Sequence, residues 1–565
     1  MILFDRNGAP IEITQAVKAA AVDAYQKFAD DAERARFDAG DPTLDCRDAL
    51  EAAVADALAE AEPKPLYLRA GVWHVLAATV GPRIPASSDG FSIRFRAAGQ
   101  ALLVFGDGPR TVVKRVDTPD GTLTSSVIWV RNKAANAVAF CCLTVDGNEA
   151  NYPHDPANIW KYEQVSNIRL LPESSDVPPG DVILDRVEFR GCVGDGMSVS
   201  APLNRFHARG VRASGRTRRP RLDIKFGPIP HIASVTDFVG DSLGAEWSEA
   251  PLGQRMTLQD VEVRSRFYLS CGGTGMQATA TNVRHTGAGS GPAVSSEFAG
   301  VNGQFTTCAF FACAGARNCQ IRFRECAFTL VADSQGRARS ISVSRDQIHR
   351  DFAYAVFAAC RFKAPNLTQG AYLSCLGVGN VSGLECGVID CVVDNPLTFF
   401  CRQPRHCWLT VRGGTLQADR ALLLLSGDSD VAVRDMRGWT GVVFEFGRLN
   451  DVPGDPGAEG ASLLPRSVHA PVTVRVEGAY EPDQLQLVAL PADTSAQQAT
   501  SSFLNFRMNE VTASFNRDPN GVVAGLPYLR IVTPDQQRGD RHWLYAHAAT
   551  RVGGTTYTEV SRPAD

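Results

Sequence analysis

Asp223 and Lys225 in RLDIKFGP, Glu297 in AVSSEFAG, and Arg322 and Arg324 in IRFR stand at comparable places in short apolar-polar runs. Carboxylates and cations repeated in this way could be gathered on one face. Two carboxyl groups held at a set distance suit glycoside hydrolysis: one protonates the leaving oxygen, and the other, ionised, acts as base or nucleophile. Asp195, in a Gly-Asp-Gly turn, is a further acid for this role, although Asp in such a turn also serves local hydrogen bonding. Elimination from an acidic sugar would instead need a base for the C5 proton and cations against the uronate. His285 in NVRHTG, with Lys225, Arg322 and Arg324, could supply these, His285 being expected at an exposed corner. Trp247 and Trp160 fall in polar, loop-like contexts and offer rings to a pyranose, whereas Trp73 and Trp129 read as core strand residues.

Side chains so far apart along the chain can meet only if the polypeptide returns at a fixed interval. Asp260, Asn282, Gln304 and Glu325 lie 22, 22 and 21 positions apart, each followed by short alternating runs around a small-residue break. Val411 and Val433 repeat the 22-residue step. A period in the low twenties fits a solenoid coil. The fixed Leu and Asn positions of leucine-rich repeats are missing, which favours a parallel β-helix. Aligned by their second strands, the coils would place Ser200, Lys225, Thr279, Glu297 and Arg324 in one outer column, with Asp223, Gln277, Ser295 and Arg322 beside it. Coils rise about 4.8 Å each. Neighbouring coils would bring carboxyls to the ~5 Å of a retaining mechanism, and two coils to the ~6.5–9.5 Å of inversion. Asp223 and Glu297, separated by a long insertion at 221–259, point to inversion.

Composition narrows the class. The 565 residues can bury a large core, and 57 basic against 61 acidic residues give no basic surface for nucleic acid. The 50 Gly and 32 Pro suit an all-β chain with many corners. No apolar window reaches the roughly 20 residues of a membrane span, so no membrane insertion is expected. The 15 Cys are odd in number, and Cys308, Cys326, Cys360 and Cys391 sit in apolar runs, as reduced core thiols would. No zinc-type spacing and no Asp cluster for calcium is present, so neither metal nor cofactor is expected. The N-terminal MILFDRNGAPIEITQ lacks the pattern of a signal peptide.

Along the chain, residues 1–40 read as a strand and one amphipathic helix, with Val17, Ala21, Tyr25 and Phe28 on one face. Thr43 or Asp45 can cap a second helix, from Ala49 to Ala61, followed by a first strand in PLYLRAGVWHV. The coil is expected over 41–450, a Pro/Gly linker over 451–470, and antiparallel strands of a small sandwich over 471–565.

The segment 40–75 resembles the opening of the pectate-lyase superfamily, which includes the phage tailspike enzymes. Their pattern is an Asp-Thr start, an Ala-rich capping helix and an apolar strand, here with Arg69 in place of a Pro. VDGNEANY (145–152) resembles the family's Asp-Gly-Asn turn, and GDGMSVS (194–200) its Gly-Asp-Gly-Ile turn. RLDIKFGP and AVSSEFAG resemble tailspike strands, with Lys225 where an acid is often found. The resemblance implies an all-β, right-handed single-stranded parallel β-helix with an N-terminal capping helix and a C-terminal β-sandwich-like module for trimerisation or carbohydrate binding. It also implies a homotrimer on a virion tail, folded in the host cytoplasm and joined to a tail or baseplate protein through its N-terminus. Its partner would be a bacterial surface polysaccharide, cleaved by Glu297, Asp223, Asp195 or His285 and bound by Lys225, Arg322, Arg324 and Trp247. A uronate lyase, an epimerase and a non-enzymatic receptor-binding fibre stay open beside the hydrolase.

Overall fold

A computed structural model describes residues 12–76, 91–116, 126–132, 135–151, 166–172, 180–192, 194–199, 203–215, 222–226, 232–247, 254–271 and 276–286, and then the strands between 297 and 556 with some of their corners. The chain divides into two units, Met1–Gly287 and Ala288–Asp565. In each, short strands pair in parallel with the equivalent strands of the next coil, as expected for a parallel β-helix.

In the first unit Gly180–Arg190, Leu203–Arg209, Ile232–Trp247, Gln254–Cys271 and Met276–His285 pair in sequence. Alternate residues stack inward: Val182, Phe206, Ala233, Met256 and Ala278 form one buried column, and Leu184, Ala208, Val235, Leu258 and Ala280 the next. A strand carries side chains to opposite faces in turn, so the residues between these columns face outward. Each coil turns at a left-handed residue. Arg186, Gly210, Asp237, Asp260 and Asn282 have φ of 54°, 63°, 51°, 54° and 54°. Short polar residues and Gly tolerate this region best, which is why Asp and Asn recur there.

The segment 221–259 is not an insertion. Leu222–Phe226 pairs with the end of Ile232–Trp247, and Ile232–Trp247 pairs along its length with Gln254–Cys271, with one irregularity between Gly240 and Ser242. Asp237 turns the first long strand, and Asp260 the second.

The expected single helix at the N-terminus is broken into Gln15–Ala19, a 3-10 turn Ala24–Lys27, and Asp31–Asp38. Val22 and Asp23 between them pair in parallel with Leu66 and Tyr67, and Asp30 caps the third piece by accepting from Glu33 N–H at 2.8 Å. Arg69, at the position where the family pattern has Pro, holds this segment: its Nε donates to Asp23 at 2.8 Å and its guanidinium lies 4.4 Å from the Tyr25 ring centre. The second helix runs Arg47–Ala57, with Ala49, Leu50, Ala53, Val54 and Ala57 buried. Its N-cap is Cys46, while Asp45 accepts from Arg47 N–H. It stops short of Ala61 because Gln100 Nε2 takes the carbonyls of Leu58 and Glu60, at 3.1 and 3.3 Å.

In the second unit Glu297–Val301, Cys319–Arg324, Ala353–Ala358, Leu384–Ile389, Trp408–Arg412 and Asp430–Arg434 pair in parallel in that order. Asn302, Glu325, Ala359, Asp390 and Gly413 are the left-handed corners, with φ from 49° to 61°. Asn302 therefore takes the corner that spacing assigned to Gln304. Beside the corners Cys326, Cys360 and Cys391 are buried free thiols, as expected of reduced core cysteines, and Phe323 stacks on Phe357 at 5.3 Å between ring centres. Parallel pairing continues past residue 470: Asp430–Arg434 pairs with Pro471–Glu477, and that strand with Phe503–Met508. Antiparallel pairs follow, as between Phe503–Met508 and Val511–Asn516. Residues 1–11 and the expected linker 451–470 lie outside the described residues.

Candidate functional site

Asp223 and Lys225 lie on Leu222–Phe226, whose neighbour in register is 243–247 and, beyond that, 267–271. Leu243 is fully buried. Leu222 is in register with Leu243. Two columns result: Asp223, Gly244 and Tyr268 are aligned, and Lys225, Glu246 and Ser270 are aligned beside them.

This register sets the chemistry. Glu246 is one strand away from Asp223 and two residues further along. Strand spacing and rise together give about 8 Å between their Cα positions. Lys225 is in register with Glu246. Gly244 carries no side chain between Asp223 and Tyr268, so that column has no side chain at its middle position. Sequence reasoning missed Glu246 and Tyr268. The signal was the alternation SLGAEW against RLDIKF, hidden while 221–259 read as an insertion.

The other sequence-derived residues distribute differently. The expected single column does not form: Thr279 is aligned with Thr257, Ser234 and His207, on a separate ladder from Lys225. Gln277 is likewise aligned with Arg255 and not with Asp223. Within the second unit Glu297 is opposite Gln320, whereas Arg324 is opposite Val301, so these two stand at opposite ends of one strand pair. Arg322 and Arg324 are exposed. Trp247 ends the strand Ile232–Trp247 rather than lying in a loop. His285 is not at a surface corner: it ends Met276–His285, opposite Val263, and is 1% exposed in a column with Ala213, Gly240 and Val263. Buried there, it has no access to a sugar C5. Asp195 is 3% exposed, and its backbone carbonyl accepts from Asn167 N–H at 3.0 Å. Trp73 and Trp129 are buried, as expected of core residues, with the guanidinium of Arg131 4.6 Å from the Trp129 ring centre. Ser200, Ser295 and Trp160 lie outside the described residues.

Among the described residues no group of three or more His, Cys, Asp or Glu could hold a metal ion, and no helix is long and apolar enough to cross a membrane.

No family model matches the chain, and no curated protein sequence matches it. Solved structures similar to it include the A-module of a mannuronan C-5 epimerase from Azotobacter vinelandii, at a TM-score of 0.36 and 14% identity over 83% of this chain and 100% of that one. The Agl-KA catalytic domain is similar at a TM-score of 0.33 and 11% identity, over 89% of this chain and 70% of that one. A hyperthermoactive exopolygalacturonase from Thermotoga maritima is similar at a TM-score of 0.27 and 9% identity, over 88% and 93%.

Proposed function

We propose that the chain binds and cleaves a polysaccharide by glycoside hydrolysis on the face carrying Asp223, Lys225, Glu246 and Tyr268. The observation that supports this is the register of Asp223 with Gly244 and of Lys225 with Glu246, which puts two acidic residues on adjacent strands, two positions apart in register. Glu246 activates water as the base. Asp223, in the other column, is the acid that protonates the leaving oxygen, and the anomeric centre inverts. Tyr268 supplies a hydroxyl, and a ring edge, to the bound sugar.

The substrate class that suits this role is a bacterial surface polysaccharide: capsule, exopolysaccharide or O-antigen. Support comes from the capping-helix opening at 40–75 and from the strands that resemble phage tailspikes. On the same grounds the chain acts as a homotrimer on a virion tail, attached to a tail or baseplate protein through residues 1–40, with the β-rich end serving trimerisation. Within the second unit, Glu297, Arg322 and Arg324 are separate candidates for contact with a glycan.

One observation favours a second reading, a lyase. Lys225 could neutralise a uronate carboxylate while Tyr268, two strands from Asp223 in the same column, moves the proton. Incubation with purified polysaccharides, read by loss of polymer mass and by ultraviolet absorbance of an unsaturated product end, separates the two. Mass loss without the absorbance supports hydrolysis, and mass loss with it supports elimination.

A further inference from the structure

On the outward face of a different ladder in the first unit, His207 and Ser234 are aligned on adjacent strands, and His207 Nδ1 lies 2.6 Å from Ser234 Oγ. Both are half-buried, between inward-facing Phe206 and Ala208 on one strand and Ala233 and Val235 on the other. Two residues before Ser234, on the same face, is Ile232, 48% exposed and the only exposed large hydrophobic residue among the described residues. Arg205 and Arg255 flank Ile232 in register and are exposed. An activated hydroxyl, a base, an apolar spot and two cations thus share one patch.

We propose that Ser234 and His207 form a nucleophile–base dyad that hydrolyses short-chain acyl esters of a polyhydroxylated compound. With the proton on Nε2, the Ser234 hydroxyl donates to Nδ1. Ser234 Oγ attacks the acyl carbonyl carbon, and its proton passes to His207. The tetrahedral oxyanion is met by the guanidinium of Arg205 or Arg255. The carbon–oxygen bond to the alcohol then breaks, and His207 returns the proton to the departing alkoxide. Water attacks the acyl-Ser234, its proton passing through His207 back to Ser234, and a carboxylic acid leaves. No oxidant, metal or further reactant is needed.

Two features fit the parts of such a substrate. Ile232 suits a short acyl chain, and Thr257 and Thr279, aligned with Ser234 on the following strands, offer hydroxyls to an alcohol rich in hydroxyl groups. Burial, and then the charge of Arg205, hold His207 below the usual histidine range. It is therefore neutral near pH 7 and able to accept a proton.

The test uses the full chain. A fluorophosphonate probe is applied to the folded protein, the modified peptide is mapped by mass spectrometry, and acetate release from p-nitrophenyl acetate is followed in parallel. Acyl release is read independently of any polymer cleavage. The proposal expects modification at Ser234, and at least about a hundredfold loss of acetate release in Ser234→Ala and in His207→Asn. Mapping on the unaltered protein keeps the outcome decisive if a variant fails to fold. No modification of Ser234 in the native protein, or a Ser234→Ala protein with undiminished acetate release, overturns it.

Discussion

Asn282 donates from Nδ2 to Asp260 Oδ1 at 2.8 Å, joining two residues 22 positions apart that both turn the chain with φ of 54°. The repeat seen in the sequence is thus the repeat of a physical constraint, a left-handed corner at one place in each coil. Replacing Asn282 with Val should destabilise the protein by about 1–2 kcal/mol, since a β-branched residue is disfavoured at this φ and the side-chain bond is lost. Asn282→Gly should cost less. Urea denaturation measures both, and equal effects of Val and Gly would mean the corner is not strained.

Lys225 is in register with Glu246. Lys225→Met is expected to slow polysaccharide cleavage by about tenfold or more, and Lys225→Arg to restore it in part. Undiminished cleavage by Lys225→Met would separate the lysine from the carboxylate.

Buried thiols give the fold an alkaline limit. Burial pushes Cys46 from its ordinary value of 9.0 up to about 12, and pushes Cys141 up as well. A thiol whose folded value is raised contributes stability that is complete below pH 9 and is lost as pH rises toward 12. Thermal melts should therefore fall across that window, and a Cys46→Ala protein should lose less of its stability between pH 9 and 11 than the parent. Native thiols should also resist an alkylating reagent at neutral pH until denaturant is added.

The coil was legible where its corner residue is chemically distinctive. Asp260, Asn282 and Glu325 were found from spacing alone, and all three are left-handed corners. Gln304 was not, because coils vary in length. In the second unit the corners Asn302, Glu325, Ala359, Asp390 and Gly413 are 23, 34, 31 and 23 residues apart, so a fixed count drifts off the corner. Ala359 and Gly413 carry no polar mark at all. The same drift displaced the expected column: Lys225 and Thr279 belong to different ladders of the same unit. Alternation within a strand survives that drift, which is why Asp223 and Lys225 were read as sharing a face. Their partner Glu246 needed pairing, because a carboxylate on the next strand is recognised only when the register between strands is known. His285 was misread since a polar residue near a Gly-rich corner has the same local sequence whether it faces inward or outward.

The most direct measurement is chain length of a purified bacterial capsule or O-antigen, from a panel of candidate sources, after incubation with the protein, its Glu246→Gln form and its Asp223→Asn form. The account predicts that the parent shortens at least one polymer, with inverted anomeric configuration at the new reducing end. It also predicts that each variant, folded as judged by its melting curve, is slower by about 10²–10⁴-fold. Undiminished cleavage by both variants would contradict it.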